Sequence, residues 1–199
     1  HAKKFGVQFF QDKVTDAQKK DGKFTVYTSR SGRQMQSRTL LLATGLLDRF
    51  PELPGLVPCL GRTIFVCPDC DGYEVKNRKT VVIGSGDSGA GMVKQLSYWT
   101  DQLIYVNHEQ KPVHPKYESF FDQHGVTRIM EKVESVEERD GTLHAVLLES
   151  GERIEAEGGV IAFGGNHVYS ELAARLGAER MENGHVLTDP RSKMTNVNN

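Results

Sequence analysis

The sequence lacks the features of a membrane-spanning protein and of a nucleic-acid-binding protein. Lys and Arg number 25 against 26 Asp and Glu, and the formal net charge of −1 leaves no basic excess to attract nucleic acid or an anionic membrane surface. The longest uninterrupted apolar run is four residues, as in Leu40–Ala43, whereas a membrane-spanning helix needs roughly 20. The composition therefore predicts a partner recognised by shape and chemistry, and neither nucleic acid nor a membrane is expected as one.

Cysteine is also scarce. The chain has three cysteines, two of them in the run Cys67-Pro68-Asp69-Cys70, and this is too few for the disulfide framework of a small secreted protein. The seven histidines are dispersed, and no two of them stand four residues apart, which is the spacing of a helical zinc site. These two observations favour a cytoplasmic protein without a metal centre.

An internal repeat organises the chain. Residues 5–45 align without a gap with residues 124–164, and ten of the 41 aligned positions are identical, whereas average residue usage predicts about two or three. Each copy has an Asp-Gly turn, a Ser-Gly turn and a closing apolar run, which predicts a β-meander ending in a strand buried on both faces. Chance similarity between two ordinary meanders is the alternative. The turns are Asp21-Gly22 and Asp140-Gly141, the closing strands are Thr39–Ala43 and Gly159–Phe163, and the identical pairs are Gly6/Gly125, Val7/Val126, Lys13/Lys132, Val14/Val133, Asp21/Asp140, Gly22/Gly141, Ser31/Ser150, Gly32/Gly151, Ala43/Ala162 and Gly45/Gly164.

A βαβ unit is predicted between the two copies. Thr80–Ile83 has the composition of a buried strand, a glycine-rich segment follows, a helix is expected from about Ala90 to Trp99, and Gln102–Val106 is the second strand. This order predicts an α/β fold with a Rossmann-like nucleotide-binding domain. Because this unit precedes the second meander, a true repeat would place a matching unit before the first one. We therefore expect this sequence to be the central section of a longer protein.

The glycine-rich segment has the spacing of a dinucleotide-binding motif. Gly84, Gly86 and Gly89 form Gly-x-Gly-x-x-Gly between the predicted strand and helix. At such a position the missing side chains let the backbone approach a pyrophosphate at the helix N-terminus. The sequence therefore predicts that a nicotinamide dinucleotide binds here.

The choice between NADH and NADPH depends on one acidic residue. Glu109 follows twenty residues after Gly89, where an acidic side chain can bind a ribose and repel a 2′-phosphate, which favours NADH. The alternative is an ordinary solvated charge. His108 and Lys111 are also potential phosphate ligands, so NADPH stays open.

Cys67 and Cys70 are the candidate redox residues. Their spacing suits a small disulfide loop in which one thiol has a lowered pKa and takes part in thiol–disulfide exchange. Zinc binding with Cys59 and scattered histidines, or two inert core cysteines, are the alternatives. Asp71 can shuttle the proton that exchange requires, or it can simply form a turn before a glycine. Cys59 stands among apolar residues and is expected to be a small buried side chain.

Four stretches of the sequence together carry a family resemblance. They are Ala43-Thr44-Gly45, the Cys-x-x-Cys-Asp-Gly run at Cys67–Gly72, Val-Ile-Gly-Ser-Gly-Asp-Ser-Gly at residues 82–89, and Ala162-Phe163-Gly164. In this order they resemble the low-molecular-weight thioredoxin reductases. The resemblance implies FAD and a nicotinamide domain inserted into an FAD domain. It implies partial FAD-domain segments at 1–46 and 169–199, and a nicotinamide domain that carries the redox cysteines at 47–168.

The resemblance also implies roles for individual residues. Cys70 would face the flavin, Cys67 would attack the substrate disulfide and Asp71 would be the acid. Thr44 and Gly45 would lie near FAD. The residues expected to contact the nicotinamide dinucleotide are Gly84, Ser85, Gly86, Asp87, Ser88, Gly89, Glu109 and Gly164. The implied partners are a disulfide substrate, for which thioredoxin and a small dithiol are the alternatives, and a second copy of the chain in a homodimer.

Some residues depart from the family pattern. Asn107-His108-Glu109 stands where the family usually has His-Arg-Arg for the NADPH phosphate. Pro68-Asp69 and Tyr73-Glu74 resemble flavin-dependent dithiol oxidases, which are relatives that pass electrons to oxygen. A non-enzymatic NAD-binding redox sensor is a further alternative. The resemblance implies two FAD-binding motifs, a glycine fingerprint and a later Gly-Asp flavin contact, and both are expected outside these 199 residues. We therefore predict that the chain alone holds no FAD and does not turn over.

Overall fold

The computed structural model describes residues 1–197. The chain forms two compact units. One comprises His1–Leu47 together with the chain from His167 onward, and the other comprises Asp48–Asn166. We call them unit 1 and unit 2, and each is described by itself.

The described residues form short strands and helices. None of these helices is both long enough and apolar enough to cross a membrane. The strands are β1 Val14–Lys20, β2 Lys23–Thr28, β3 Gln34–Ser37, β4 Leu46–Leu47, β5 Ile64–Phe65, β6 Thr80–Gly84, β7 Leu103–Asn107, β8 Thr127–Ile129, β9 Val133–Arg139, β10 Thr142–Leu148, β11 Arg153–Glu155, β12 Gly158–Ala162 and β13 His167–Val168. The α-helices are α1 Leu56–Cys59, α2 Pro68–Asp71, α3 Gly86–Leu96, α4 Pro115–His124 and α5 Glu171–Arg175, and 3-10 helices span Ala2–Phe5 and Gly72–Val75.

Unit 2 is built on a five-stranded parallel sheet with the order β5-β12-β6-β7-β8. Gly84, the last residue of β6, pairs with Ala162 on one side and Asn107 on the other, so three strands end together at one edge. Helix α3 connects β6 to β7 and α4 connects β7 to β8, as parallel neighbours require. The predicted α/β fold with a Rossmann-like βαβ unit is confirmed.

The helix of this βαβ unit begins earlier than predicted. We expected it to start at about Ala90, but α3 starts at Gly86. The chain leaves β6 at Gly84, Ser85 is extended, and Gly86 takes a φ of +48°, which is easily adopted only by glycine. Because this one residue completes the turn, the glycine motif contains the strand end and the first helical turn.

Apolar side chains cover both faces of the parallel sheet. On one face, Val81 and Ile83 of β6 pack with Val146 of the second meander. On the other face, Val82 packs with Val93 of α3. Alternation of buried residues toward two cores is the expected pattern of a central parallel strand.

The second meander has the predicted form. β9, β10 and β11 pair antiparallel, and the Asp140-Gly141 turn has φ values of +53° and +77°, as a two-residue hairpin turn requires. Its closing strand is β12, one residue from the predicted limits, and it pairs with β5 and β6.

Unit 1 contains the first meander, β1-β2-β3, and the short pair β4–β13. Its Asp21-Gly22 turn has φ values of +50° and +71°, so the predicted hairpin turn is confirmed here too. Arg175 of α5 is ion-paired with Asp16 of β1 at 3.0 Å, which ties the C-terminal helix to the meander.

The predicted closing strand of the first meander is wrong. Residues 39–43 have no regular secondary structure, and no strand among the described residues pairs with them. Leu41 is 89% exposed. A central strand is stable only when neighbours on both sides satisfy its backbone groups and both of its faces are covered, and this segment has neither.

Candidate functional site

Two glycines of the motif, Gly84 and Gly89, lie where a side chain would clash with its neighbours in unit 2. A Cβ atom added to Gly84 would lie 2.6 Å from the carbonyl oxygen of Ala162 and 2.7 Å from the Cα of Gly89. A Cβ atom on Gly89 would overlap the ring of Tyr105. Gly84 and Gly89 therefore allow β6, β12 and the start of α3 to meet more closely than any side chain permits.

Tyr105 of β7 forms a hydrogen bond with the turn at Gly86. Its side chain is fully buried on β7, and its hydroxyl donates a hydrogen bond to the carbonyl oxygen of Gly86 at 2.8 Å. Burial raises the pKa of Tyr105, so the phenol stays protonated and remains a donor at any ordinary pH. Sequence analysis missed this role, although the need for space at Gly89 was a signal that a large ring lies beneath it.

Asn107 holds the same turn from the end of β7. Its Oδ1 accepts a hydrogen bond from the backbone N–H of Gly86 at 3.1 Å, and its Nδ2 donates to the carbonyl oxygen of Lys111 at 2.6 Å. The side chain is fully buried. Asn107 therefore ties the glycine motif to the loop after β7, a role that sequence analysis did not predict.

A cavity lies at the carboxyl edge of the sheet, between the end of β12 and the first turns of α3. In the sheet, β6 lies between β7, the next strand along the chain, and β12, which comes much later in the sequence. The sheet order therefore reverses between β6 and β12, and α/β proteins bind ligands at such a switch point. The cavity has a volume of about 200 Å³, and its lining includes Ser88, Met92, Phe163 and Gly164. Gly164 has a φ of +63° and lies directly against Ser88 at the start of α3.

Glu109 lies beside the glycine motif. Its carboxylate accepts a hydrogen bond from Ser85 Oγ at 2.6 Å and is ion-paired with Lys111 at 2.7 Å and with Arg49. The contacts with Lys111 and Ser85 lower the pKa of Glu109 to about 2. The carboxylate is therefore ionised near neutral pH, although two cations offset its charge.

His108 is neutral near neutral pH and has a structural contact. Its Nδ1 accepts a hydrogen bond from the backbone N–H of Val133 at 3.0 Å, and burial lowers the pKa of the ring. The ring packs edge-on against Phe163. His108 can therefore offer only its other nitrogen, Nε2, to a ligand.

The side chain of Asp87 binds the loop before α4. Its carboxylate accepts a hydrogen bond from the backbone N–H of His114 at 2.7 Å. Asp87 therefore anchors the loop that leads to α4.

The Cys67–Cys70 pair lies at the start of α2. The two residues form a disulfide with a Cα–Cα distance of 5.3 Å. Cys67 is the N-cap of α2, and its Sγ accepts a hydrogen bond from the backbone N–H of Cys70 at 3.2 Å. Cys67 is half-buried and Cys70 is exposed, so the pair is not part of the core.

The remaining cysteine is separate from this pair. Cys59 is fully buried, as predicted, and burial raises the pKa of its thiol. Across residues 1–197, no group of three or more His, Cys, Asp or Glu side chains is arranged to hold a metal ion.

Trp99 packs directly against the segment after the disulfide. Asp71 is half-buried, and its N–H donates to the carbonyl oxygen of Cys67 at 3.0 Å. A Cβ atom on Gly72 would overlap the Trp99 indole. The sequence did not predict this contact between Trp99 and the Cys-x-x-Cys-Asp-Gly run. Val66, next to Cys67, lines the cavity that contains Ser88.

Thr44 and Gly45 lie in unit 1. The Thr44 hydroxyl donates to the carbonyl oxygen of Tyr169, and the N–H of Tyr169 donates to the carbonyl oxygen of Gly45 at 3.1 Å. Thr44 lines a cavity of about 510 Å³ together with Lys13, His167 and Arg175. The other predicted site residues all belong to unit 2.

Comparison with known proteins identifies relatives. The family model described as pyridine nucleotide-disulphide oxidoreductase matches residues 1–199. A thioredoxin reductase of Treponema pallidum is 34% identical over 103 residues, which cover 52% of this chain and 33% of that protein.

Solved structures are similar over nearly the whole chain. The crystal structure of HlmI matches with a TM-score of 0.82 and 26% identity, over 98% of this chain and 61% of HlmI. Thioredoxin reductase from Streptococcus pyogenes shares the fold, with a TM-score of 0.82 and 20% identity, over 98% of this chain and 64% of that one. The chain therefore spans less than two thirds of these relatives.

Proposed function

Because the chain belongs to the pyridine nucleotide-disulphide oxidoreductase family, we propose that it is a thioredoxin reductase-like section of an enzyme that passes electrons from NAD(P)H to the Cys67–Cys70 disulfide and on to a disulfide substrate. The observation that supports this most directly is that the accessible Cys67–Cys70 disulfide lies in the same unit as the glycine motif, residues 84–89, which we call the glycine cradle. We assign nicotinamide binding to unit 2 and contacts with FAD to unit 1.

The glycine cradle fits a dinucleotide. Gly84 and Gly89 leave no room for side chains, and Gly164 brings the turn after β12 against Ser88. In our proposal the backbone of residues 84–89, with Ser88 and Gly164, holds the pyrophosphate, and Glu109 binds a ribose. Thr44 and Gly45 are the proposed flavin contacts. When bound at these residues, the two cofactors would supply the hydride and the electron pair that reduce the Cys67–Cys70 disulfide.

The chain's own chemistry is thiol–disulfide exchange. In the reduced form, the Cys67 thiolate attacks the substrate disulfide, one substrate thiolate leaves, and a mixed disulfide forms at Cys67. Cys70 then attacks Cys67, the Cys67–Cys70 disulfide forms again, and the second substrate thiolate leaves. Asp71 is the proposed proton donor to the leaving thiolates.

The geometry favours Cys67 as the attacking residue. The backbone N–H of Cys70 points to Cys67 Sγ at 3.2 Å, and such a donor stabilises a thiolate. Reduction of the disulfide therefore leaves the more stable thiolate at Cys67, the position that the family resemblance assigns to substrate attack.

We propose NADH as the preferred cofactor. Glu109 is ionised above a pH of about 2, and Ser85 holds it at the glycine motif. A fixed carboxylate at this position accepts hydrogen bonds from ribose hydroxyls and repels a 2′-phosphate. Replacing Glu109 with Gln removes this repulsion and frees Lys111 and Arg49, which are now ion-paired with Glu109, to bind a 2′-phosphate. The replacement is therefore expected to improve NADPH binding more than NADH binding.

The decisive experiment is reversible oxidation of the cysteines. The chain is reduced with dithiothreitol, freed of reductant, and mixed with one equivalent of oxidised thioredoxin, and the disulfide is followed by alkylation and mass spectrometry. We expect the Cys67–Cys70 disulfide to form again and Cys67→Ser to abolish its formation, while Cys59→Ala has little effect. A dithiol that no disulfide can reoxidise would refute the proposal.

A flavin-dependent dithiol oxidase is the second candidate. Tyr73 and Glu74 follow the cysteines, and the pKa of Tyr73 is raised by its hydrogen bond with Glu74. In a longer, FAD-loaded protein, oxygen consumption driven by a small dithiol without NADH would favour the oxidase. NADH-driven reduction of thioredoxin would favour the reductase. For either enzyme we propose a cytoplasmic homodimer, which sedimentation of that longer protein would test.

A further inference from the structure

We infer that Arg49 is a cofactor-binding residue that contacts the pyrophosphate of the nicotinamide dinucleotide. The inference rests on the proposed function, since it assumes that the dinucleotide binds at the carboxyl edge of the unit 2 sheet. Arg49 lies in the segment before α1, outside the glycine motif, and its sequence context gave no reason to select it.

The position of Arg49 is the first argument. The cavity at Ser88 and Gly164 and a second cavity of about 270 Å³ at Glu109 share two lining residues, Arg49 and Phe163. A dinucleotide consists of two nucleosides joined by a pyrophosphate. If a dinucleotide occupies both cavities, its central pyrophosphate lies where the two cavities meet. Of the two residues that line both cavities, Arg49 is the charged one.

The attachment of Arg49 is the second argument. Its backbone N–H donates to Asn166 Oδ1 at 3.2 Å, and Asn166 Nδ2 donates to Asp48 Oδ1 at 2.8 Å. The guanidinium lies 5.7 Å from the ring centroid of Phe163, and 43% of the side chain is exposed. The backbone is thus held in place while the charged group stays accessible to a ligand.

The chemistry of the neighbouring motif is the third argument. One N–H of the glycine motif, that of Gly86, is already bound to Asn107, and Asp87 adds a negative charge to the first turn of α3. A pyrophosphate carries at least two negative charges, so binding here calls for a cation. A guanidinium binds phosphate oxygens in pairs, and Arg49 already binds a carboxylate, that of Glu109.

The test measures binding to the 199-residue chain by calorimetry and needs no flavin or turnover. Two of the probes, NADH and ADP-ribose, contain a pyrophosphate. The third probe, adenosine, contains none, and its binding is measured by NMR. We expect Arg49→Ala to weaken the binding of NADH and of ADP-ribose at least tenfold, and the binding of adenosine less than twofold. Arg49→Lys, which keeps the charge but loses the paired donors, should give an intermediate loss.

Arg153→Ala is the matched control. Arg153 is also 43% exposed and ion-paired with two carboxylates, those of Glu137 and Glu155, but it lines neither cavity. It should leave all three affinities unchanged. Thermal unfolding of each variant checks that the chain remains folded.

A double-mutant cycle with Glu109→Gln separates contact from positioning. If Arg49 acts only by orienting Glu109, its replacement costs nothing once Glu109 is neutral, and the inference is wrong. If Arg49 contacts the pyrophosphate, the tenfold loss persists in the Glu109→Gln background. Equal losses for adenosine and ADP-ribose would also overturn the inference. Wild-type chain that binds neither NADH nor ADP-ribose would overturn the proposed nicotinamide site as well.

Discussion

The two copies of the internal repeat have similar sequences and different environments. Leu41 and Val160 occupy the same position in the two copies, and Leu41 is 89% exposed whereas Val160 is 2% exposed. Both copies form the same three-stranded meander with the same Asp-Gly turn. Only the second copy closes with a strand, because β5 and β6 pair with β12 on its two sides.

The difference separates local from long-range contributions to structure. A hairpin turn depends on two residues that tolerate a positive φ, and its strands are adjacent in sequence. A central parallel strand depends on partners far along the chain, and an apolar run without partners stays irregular. Equal sequence patterns therefore give equal hairpins but unequal closing strands.

A second shared feature joins the copies. Asp12 accepts hydrogen bonds from the backbone N–H groups of Arg30 and Ser31, at 3.0 Å and 3.1 Å. At the matching positions, Glu131 accepts a hydrogen bond from the N–H of Ser150 at 2.5 Å. An acidic residue before each meander thus holds the Ser-Gly turn, and counting identities missed it because Asp and Glu differ.

The largest effect is expected from a charge in the closing segments. Val160→Asp places an unpaired carboxylate in the core and should destabilise unit 2 by about 4 kcal/mol. Leu41→Asp should change the stability of unit 1 by no more than about 0.5 kcal/mol. Hydrogen exchange followed by mass spectrometry measures the stability of both units in one experiment. Similar losses in the two variants would mean that residues 39–43 are buried after all.

A smaller effect is expected from the hairpin glycines. Gly22→Ala and Gly141→Ala both place an alanine at positive φ, which costs about 1 kcal/mol. A Cβ atom on Gly141 would also lie 2.7 Å from the carbonyl oxygen of Pro58, whereas nothing lies within 4 Å of one on Gly22. Gly141→Ala should therefore cost about 3 kcal/mol in total. Urea unfolding with exchange at each hairpin measures this, and equal costs would contradict the close contact.

The smallest effect concerns the acidic residues at the Ser-Gly turns. Hydrogen bonds from Ser31 hold the pKa of Asp12 well below its usual value of 3.8. Because the pKa is lower in the folded state, the stabilisation is present above pH 3.8 and is lost as the pH falls below it. Proton exchange at the Ser31 amide should therefore lose protection in acid, and Asp12→Asn should remove that pH dependence. A carboxyl group of Asp12 that titrates at 3.8 in an NMR experiment would contradict this.

Much of unit 2 was predictable from the sequence. The βαβ unit followed from two apolar runs around a glycine motif, and the hairpins followed from Asp-Gly pairs. The early start of α3 was not predicted, because the value of φ at Gly86 depends on contacts with Tyr105 and Asn107.

The candidate site was predictable only in part. Glu109 was selected from its distance to Gly89, but its ion pair with Arg49 joins positions 60 residues apart. Arg49 has the same appearance in the sequence as any exposed arginine. Trp99 likewise gave no sign that it packs on Gly72.

The amino-acid sequence by itself determined what neighbouring residues control: turns at Asp-Gly pairs, strands from apolar runs, the glycine motif and the cysteine spacing. The tertiary structure alone decided which apolar run became a buried strand and which cations meet Glu109. The physical reason is that burial and charge pairing depend on groups brought together from distant positions, and a local pattern does not contain those partners.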